Sequence, residues 1–571
     1  MRKYRLLSLV VLPAAAGLVL LQPLAGSAQS GPTLVSNSQA NMIAPPARLK
    51  GYVDNFPRNK QNEPAIARDP LTGAFVAGSN DEIDEDLCGT NPSWDPSLNN
   101  SVTCHFDPLV GSTGVYFSAD GVHWTQPTYS SNLDGNGPNP IHTLPGYDTV
   151  GLVSNGDPAI SFGPTLLPNG TFSRTAMTAY FGNLAFQRQL PSLTNGGALF
   201  AISRSYDDGQ TWVPPVVANG PGSTAGTFND KDHVHADASP ASPFYGNVYG
   251  CYSLFPGSPL FSRELNDRIM FVRSTDGGAT YSKPVFLSPD YNNNAVGGRQ
   301  DCNIQSGPDG TVYVFWDDSI NKVPSMVVAV SHDGGQTFTK RITVAAFNPV
   351  AFPLPNALFR EFSYPTGAVD PRSGQVYDVW PTETNGHAQI ALATSVDRGQ
   401  SWKVLSAVGV NESAGDDVFF PAIDVSPNGT VVVSYNALRQ TGVAPAYTAA
   451  GQPGSDFTTP GQPFGPGAVA QDTYAAVSTD HGLSFSAIRA STTSGDPDGA
   501  SANNLTDQFI GDYTTVAATD HAAYPIWTDE RNAAPCTPVD QYRAGQIAKS
   551  NPDLSCRNFG NTDIFTALVT Y

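Results

Sequence analysis

The chain has 571 residues, of which 40% are hydrophobic and only 14% are charged, against about 25% charged in an average soluble protein. Its 48 prolines exclude a mainly helical protein, because helix interiors exclude proline, and its apolar content excludes a disordered chain. The formal charge of −20 argues against a nucleic-acid partner, since phosphate binding needs clustered Lys and Arg. The composition therefore predicts a large β-rich protein with many turns.

The N-terminus has the pattern of a secretory signal. A basic start with Arg2, Lys3 and Arg5 precedes an apolar core over 6–21, and small residues allow cleavage after Ala28. The core is shorter than the ~20 residues that cross a membrane. We therefore expect a secreted, extracellular protein with no membrane span and a signal peptide that is removed.

Six cysteines in an exported chain favour disulfide bonds, because the compartment is oxidising. Several pairings are open to six cysteines, and we prefer those that close short local loops. The preferred pairs are Cys88–Cys104, Cys251–Cys302 and Cys536–Cys556.

Two segments could supply metal ligands. The run 81–86 holds five acids and could offer oxygen ligands to calcium, although a solvated acidic loop has the same composition. On a strand, His233, His235 and Asp237 point to one face, a spacing that metals accept and that ordinary inner-strand residues also show. We expect no resident cofactor, with calcium as the candidate to test.

The pattern Ser-x-Asp-x-Gly-x-(Thr/Ser)-aromatic recurs along the chain. Copies begin at Ser205, Ser274, Ser331, Ser395 and Ser478, with a shortened version at Ser118. Ser and Asp side chains can accept N–H bonds of a tight connection, Gly supplies a positive φ, and the aromatic residue re-enters a strand. Strand-like segments flank the copies, such as 326–330 before one and 340–344 after it. The pattern predicts structural turns, and we assign it no catalytic role.

This pattern resembles the Asp-box, or BNR repeat, of sialidase-superfamily β-propellers. In that family the box joins the two outer strands of a four-stranded blade, and here the resemblance extends over nearly all of the chain after residue 28. It implies an all-β fold with a single propeller over 29–571. We expect seven blades; six, as in the catalytic sialidases, is the alternative.

The last repeat is incomplete and predicts how the ring closes. Segments 512–517, 523–527 and 563–569 fit three strands of a blade, and the chain stops where a box would begin. Segment 32–36 can supply the fourth strand, which would hide two open sheet edges. We therefore assign 29–60 to a closing strand and a linker.

Propeller ligands usually bind over the central channel, where the inner strands begin. The segments that lead into these strands are 62–63, 156–157, 231–232, 299–301, 360–362, 416–417 and 507–509. An acid occurs in every one, which predicts a ring of carboxylates with a few basic residues. The alternative is that these acids cap turns and bond neighbouring strands.

The resemblance implies three arginines that hold a sugar carboxylate, a tyrosine nucleophile activated by a glutamate, and an aspartate acid/base. The candidates are Arg299, Arg360 and Arg531 for the clamp, Tyr364 or Tyr513 for the nucleophile, Glu361 for its activator, and Asp301 or Asp512 for the acid/base. The first inner strand departs from the family. Where sialidases carry an Arg-Ile-Pro motif, it reads Asn62-Glu63-Pro64.

We therefore expect a secreted, sialidase-like protein that acts on or binds extracellular glycans, as a monomer. The implied reaction is a retaining, two-step glycoside hydrolysis. The alternative is a non-catalytic propeller scaffold that binds a protein or a polysaccharide.

Overall fold

The part of the chain that the structure describes forms seven antiparallel sheets with four blade strands each. In six of them the four strands follow one another along the chain, and in the seventh the fourth strand comes from the N-terminal segment. The structure is a computed structural model. It describes residues 31–42, 61–84, 110–132, 139–188, 198–219, 227–256, 267–289, 299–355, 357, 359–405, 408, 416–440, 447–448, 452–453, 469–497, 509–532, 546–547 and 562–571. All seven sheets belong to one compact unit, Pro32–Tyr571.

Each sheet is a blade with an inner, a second, a third and an outer strand, and we number the blades in the order of their inner strands. The inner strands are Gln61–Arg68, Ala159–Leu166, Thr227–Ala236, Gln300–Ser306, Thr366–Val369, Asp417–Val425 and Thr515–Ala518. The second strands are Phe75–Asp81, Phe172–Gln187, Val248–Pro256, Val312–Ile320, Val376–Thr384, Val431–Gln440 and Ala522–Asp529. The third strands are Thr113–Ser118, Leu199–Ser205, Arg268–Ser274, Val323–Ser331, His387–Ser395, Val469–Ser478 and Asp563–Thr570. The outer strands are Trp124–Thr125, Val213–Val217, Val285–Phe286, Ile342–Ala346, Lys403–Val404, Ser486–Arg489 and Thr33–Gln39.

A few short elements lie outside this four-strand pattern. They are a hairpin of Tyr129–Ser131 with Asn139–Ile141, the 3₁₀ helix Asp148–Val150, the strand Leu152–Ser154 beside the second strand of blade two, and a hairpin of Tyr447–Thr448 with Gln452–Pro453. The expected all-β class is confirmed.

The blades pack face to face through buried aromatic and aliphatic side chains. Tyr313 and Phe315 of blade four share a core cluster with Val376 and Trp380 of blade five, and all four are almost completely buried. A Cβ atom at Gly367 would lie 2.4 Å from the Phe315 ring, so this glycine makes room for the neighbouring blade. Such interdigitation of facing sheets is the source of core density in stacked β structures.

The inner strands close into a ring. Each contacts the inner strand of the next blade, and that of blade seven contacts that of blade one. Blade seven is completed by Thr33–Gln39, which runs antiparallel to Asp563–Thr570 with Thr33 opposite Thr570 and Gln39 opposite Phe565. The seven-bladed propeller and its closure by an N-terminal strand are thus confirmed, and six blades is wrong.

The repeated motif forms the turn between the third and outer strands. In blade two, Ser205 Oγ accepts the Gly209 N–H at 2.8 Å and donates to Asp207 Oδ1 at 2.8 Å. The other Asp207 contacts are the Thr211 N–H at 2.8 Å and the Thr211 hydroxyl at 2.6 Å. Trp212 Nε1 donates a hydrogen bond to the Gly209 carbonyl oxygen at 2.9 Å, which closes the turn. Gly209 has a φ of 85°. These side chains are therefore engaged in structure, as the motif predicts.

A disulfide joins blades three and four. Cys251 of a second strand is bonded to Cys302 of the neighbouring inner strand, with a Cα–Cα distance of 6.1 Å. This confirms one preferred pair. The pairs Cys88–Cys104 and Cys536–Cys556, the signal segment 1–28 and the Glu85 and Asp86 end of the acidic run lie outside the described residues. Within those residues, no helix has the length and apolarity that would cross a membrane.

Candidate functional site

Left-handed residues stand where several inner strands begin. Glu63, Lys231, Asp301 and Phe420 have φ between 46 and 55°, and at each one the pairing with the second strand shifts by a bulge. Asp157, with φ 53°, lies two residues before the inner strand of blade two. A bulge re-aims a side chain, and left-handed non-glycine residues are uncommon and concentrate at functional sites.

Lys231 is the centre of a buried ion-pair network. Its Nζ lies 2.5 Å from Asp512 Oδ2 and 3.2 Å from Glu63 Oε1. The Asp512 N–H also donates to Glu63 Oε1 at 3.0 Å. The three side chains are at most 4% exposed, so blades one, three and seven meet through charges that water scarcely reaches.

Arg360 binds the same carboxylate from blade five. Its Nε donates to Asp512 Oδ1 at 2.7 Å and its Nη2 to Oδ2 at 2.5 Å, which is the bidentate geometry that a guanidinium forms with a carboxylate. The guanidinium carbon lies 4.3 Å above the Phe509 ring and 5.7 Å from Phe362. We call Glu63, Lys231, Asp301, Arg360 and Asp512 the charged mouth.

Asn80 ties blades one and two to this network. Its Nδ2 donates to Glu63 Oε2 at 2.9 Å and its Oδ1 accepts the Asp157 N–H at 2.8 Å. Asp157 Oδ2 in turn accepts the Lys231 N–H at 3.1 Å. Backbone and side chain together therefore fix the position of each charge.

The carboxyl groups of the charged mouth differ in their protonation. Burial raises the pKa of Glu63 to about 8 and that of Asp301 to about 8, with Lys231 opposing the shift in each case. Burial works to raise the pKa of Asp512 as well, but the charges of Lys231 and Arg360 hold it below its ordinary value. The charged mouth thus combines carboxyls whose pKa is raised with one whose pKa is lowered, a contrast that acid/base chemistry uses.

The two candidate tyrosines have different surroundings. The Tyr364 hydroxyl donates to Gln300 Oε1 at 2.7 Å, and its ring stacks on Phe362 at 5.2 Å. Tyr513 is half-buried, and Lys231 Nζ lies 5.4 Å from its ring centroid. Burial raises the pKa of both hydroxyls well above the ordinary value. For Tyr364 the negative charge of Asp512 is the second cause of the increase.

Glu361 follows Arg360 in sequence and is 1% exposed. Burial and then the charge of Asp512 raise its pKa well above the ordinary value. Its proposed role as activator of a tyrosine stays a prediction.

The remaining arginine candidates are held in ion pairs of their own. Arg299 Nε donates to Asp318 Oδ1 at 2.9 Å, and both side chains are 1% exposed. Arg531 binds Asp529 through Nε at 2.6 Å and Nη2 at 2.7 Å, and its guanidinium carbon lies 3.9 Å above the Phe565 ring. Together with the arginine of the charged mouth, the three are bound by three different carboxylates.

A cavity of about 630 Å³ runs along the ring axis and is lined by residues of all seven inner strands or the segments leading into them. Lys231, Asp301 and Tyr513 belong to its lining. The charged mouth therefore borders a space of the size that accepts a small molecule.

The metal candidates bind protein groups. His235 Nε2 accepts the Ser306 N–H at 3.1 Å, and burial lowers the pKa of His235 to about 3. Asp237 accepts the Ser242 hydroxyl and the Ser239 N–H. Among the described residues, no cluster of three or more His, Cys, Asp or Glu has a metal-binding arrangement.

The carboxylates at the described end of the acidic run are also engaged. Asp81 accepts hydrogen bonds from Gln61 and Gln126, and Asp84 from the backbone N–H groups of His142 and Thr143.

Sequence reasoning did not select Lys231 or Asn80 as site residues. One sequence feature could have identified Lys231 as a site residue: it is a lone lysine between Asp230 and Asp232 at the start of an inner strand. No local feature could have identified Asn80, because it lies near the end of a second strand and reaches the site only through the fold.

No protein-family model matches the chain, and no curated protein matches it. Solved structures that it resembles include a protein of unknown function from Dyadobacter fermentans, at 13% identity and TM-score 0.40, covering 78% of this chain and 96% of that one. They also include an α-L-arabinofuranosidase from Fusarium graminearum, at 12% identity and TM-score 0.38, covering 72% and 92%. A Hadza microbial sialidase is similar at 13% identity and TM-score 0.39, covering 87% and 94%.

Proposed function

We propose that this propeller is exported and acts on extracellular glycans by cleaving glycosidic bonds at the charged mouth. The observation that carries the proposal is the contrast between Asp301 and Asp512. Asp301 is a half-buried carboxyl on the cavity wall with a raised pKa, whereas Asp512 is kept ionised by Lys231 and Arg360. Glycosidases use a protonated carboxyl and a second, ionised group on either side of the scissile bond. Export rests on the signal pattern of residues 1–28.

In this proposal Asp301 is the general acid. It gives its proton to the glycosidic oxygen as the bond to the anomeric carbon breaks, and it takes a proton back from water in the second step. The ionised Asp512 stabilises the positive charge that develops on the sugar.

We assign the nucleophile of a retaining reaction to Tyr513. It lines the cavity, whereas the Tyr364 hydroxyl is already committed to Gln300. The Tyr513 oxygen would form a bond to the anomeric carbon as its proton passes to Asp157, whose charge acts on this hydroxyl. In the second step water replaces the Tyr513 oxygen at the anomeric carbon, and Asp157 returns the proton to that oxygen.

A non-catalytic glycan-binding scaffold is the second candidate. It is favoured by the mutual saturation of Lys231, Arg360 and Asp512, which fix one another without a ligand. Under this alternative the charged mouth only presents a binding surface.

The test is hydrolysis of a panel of 4-methylumbelliferyl glycosides by the purified chain and by Asp301→Asn. The control is Asp309→Asn, at the exposed turn after the same inner strand. We expect turnover that Asp301→Asn lowers by at least about 100-fold and Asp309→Asn leaves unchanged. Turnover should fall as the pH rises above about 8, because the acid loses its proton. Binding of glycans without turnover would favour the scaffold, and neither binding nor turnover would contradict the proposal.

A further inference from the structure

An ion pair crosses the ring axis at the charged mouth. Lys231 belongs to blade three and Asp512 leads into blade seven, and their charged atoms lie 2.5 Å apart. These blades stand on opposite sides of the ring, because blades one and two separate them on one side and blades four to six on the other. Glu63 of blade one and Arg360, which leads into blade five, add contacts to the same pair. Side chains from four blades therefore fill the axis at this level.

The cavity along the axis ends at this layer of ion pairs. Lys231, Asp301 and Tyr513 belong to its lining. Glu63 and Asp512, whose side chains are at most 1% exposed, are not among the described residues that line it. The charged mouth is therefore the closed end of the cavity.

The other end of the cavity reaches the protein surface. We call this end the far face; it is where the inner strands pass into the second strands. Prolines of these turns are exposed and line the cavity, namely Pro70, Pro240, Pro371 and Pro427. The described residues include all seven turns, which are 69–74, 167–171, 237–247, 307–311, 370–375, 426–430 and 519–521. Because proline fixes φ in a turn, the rim of the cavity is stiff.

Hydrogen bonds between neighbouring inner strands tighten the wall of the cavity. In each of them a side chain of one blade accepts a backbone N–H of the next blade. The pairs are Ser161 with Ala236 at 3.0 Å, His235 with Ser306 at 3.1 Å, Asn303 with Gly367 at 3.2 Å, Asp424 with Ala518 at 2.8 Å and Thr515 with Ile66 at 2.9 Å. At these five interfaces the blades are joined beside the cavity, so a ligand cannot pass between them.

From this geometry we propose that a ligand reaches Asp301 from the far face, through the axial cavity, and not from the face where the inner strands begin. The inner strand Gln300–Ser306 runs along the cavity and is about 20 Å long, from the rise per residue of a strand. A ligand has to pass this length end-on, which selects an unbranched glycan. The inference rests on the proposed function in naming a glycan, whereas the entrance rests on the contacts alone. It departs from the expectation that propeller ligands bind where the inner strands begin.

The entrance is tested with a thiol placed near the closed end. Thr515→Cys puts a thiol on the cavity wall, two residues after Tyr513. Its reaction with a methanethiosulfonate that carries a glucosyl group forms a mixed disulfide, which mass spectrometry follows with the wild type as the blank. Ala238→Trp, added to this variant, places a large ring at the far rim, where Ala238 lines the cavity. We expect it to slow the reaction at least about tenfold, because thiol reactivity depends on access.

Two matched controls carry the same ring elsewhere. Leu71→Trp lies on an exposed far-face turn, outside the described lining of the cavity. Phe352→Trp lies on the other face, in the exposed segment before the inner strand of blade five. Both should leave the thiol rate unchanged. Pro371→Trp, at the exposed rim of blade five, replaces Ala238→Trp if circular dichroism shows that the latter does not fold.

The same ring substitutions, made without the thiol, are assayed on the 4-methylumbelliferyl glycoside that the chain hydrolyses fastest. Ala238→Trp should lower kcat/KM at least about tenfold, since a narrowed entrance slows association. Leu71→Trp and Phe352→Trp should leave kcat/KM unchanged.

The outcomes separate the entrance from the proposed function. A thiol shielded by the far-rim ring, in a chain that hydrolyses no glycoside, would support the entrance while the proposed hydrolysis fails. A thiol rate that the far-rim ring leaves unchanged, or that Phe352→Trp slows as much, would overturn the entrance. So would a thiol that does not react in Thr515→Cys alone, because the cavity would then be closed at both ends. Turnover that Phe352→Trp lowers and Ala238→Trp does not would overturn the entrance and leave the proposed hydrolysis standing.

Discussion

Arg360 and Asp512 lie 152 residues apart in the chain and are joined by two hydrogen bonds, from Nε to Oδ1 at 2.7 Å and from Nη2 to Oδ2 at 2.5 Å. The pair links blade five to blade seven at the end of the cavity where the inner strands begin. It also keeps Asp512 ionised inside the protein.

Arg360→Lys keeps the charge but removes the bidentate geometry. We expect kcat/KM on the accepted glycoside to fall about 10- to 100-fold, the equivalent of one lost hydrogen bond between charged groups. Arg398→Lys is the matched control, because Arg398 pairs with Asp309 on the exposed surface. Equal activity of Arg360→Lys and the wild type would show that the pair does not serve the reaction.

Asp301 should make the protein less stable as the pH rises. Its pKa is raised from 3.8 to about 8, so the folded state binds more protons than the unfolded state between those values. The free energy of unfolding therefore decreases from about pH 4 to about pH 8 and then levels off. Denaturant unfolding at several pH values measures this slope, and Asp301→Asn should flatten it. Asp309→Asn should keep the wild-type slope, and a slope that Asp301→Asn leaves intact would contradict the assignment.

Gly511→Ala should displace Glu63 in the charged mouth, because the added Cβ atom would clash with the Glu63 backbone. Gly511 has a φ of 100°, and a Cβ atom there would lie 2.8 Å from the Glu63 nitrogen. We expect a loss of at least about 1–2 kcal/mol from the left-handed backbone alone, with a further loss of activity as Glu63 moves. Gly170→Ala has a φ of 81° with nothing within 4 Å, so it separates the backbone cost from the clash. Circular dichroism melts and kcat/KM measure the two effects; equal behaviour of both variants would exclude the clash.

The closing strand should be needed for a stable ring. A chain that begins at residue 43 lacks Thr33–Gln39 and leaves the edge of Asp563–Thr570 unpaired. We expect its thermal midpoint to fall by at least about 5 °C and the chain to aggregate on heating, because open strand edges pair with other chains. Calorimetry and light scattering measure this against a chain that begins at residue 32. Identical melting of the two chains would refute a closing role.

Removing the Cys251–Cys302 disulfide should destabilise the fold. The bond closes a loop with a sequence separation of 51, and native disulfides of this kind contribute roughly 2–4 kcal/mol. The double variant Cys251→Ala, Cys302→Ala should unfold at a lower denaturant concentration than the wild type. A reductant should have no further effect at this position in the variant, because the bond is already absent. Peptide mapping without reduction serves as the control on the wild type. An unchanged midpoint would mean that packing alone holds blades three and four together.

Short-range patterns, together with the family resemblance that the turn motif carries, were sufficient to predict the fold. The turn motif needs only residues such as Ser205, Asp207 and Gly209, which lie within one connection, so its role is readable from spacing. The closing strand followed from a missing fourth strand and a free segment near the N-terminus. Both inferences depend on local chemistry repeated around a ring.

The candidate site was only partly predictable. Acids at the starts of the inner strands were expected, and Asp301, Arg360 and Asp512 do lie at the charged mouth. The arrangement of ion pairs could not be predicted from the sequence, because Lys231 lies 168 residues from Glu63 and 281 residues from Asp512 along the chain. Nothing local in the sequence shows that Arg299 binds Asp318. Asp529 lies only two residues from Arg531, but this spacing alone does not show that Arg531 binds it instead of a shared ligand.

The pairing of Thr33–Gln39 with Asp563–Thr570 has a consequence for biogenesis. Thr33–Gln39 is translated long before Asp563–Thr570, so the ring stays open until the later strand has been made. Blades can form in turn as they emerge, but the two free edges are exposed until Asp563–Thr570 has emerged. The ring then closes by a single intramolecular pairing of two strands, and this pairing competes with strand pairing to another unfinished chain.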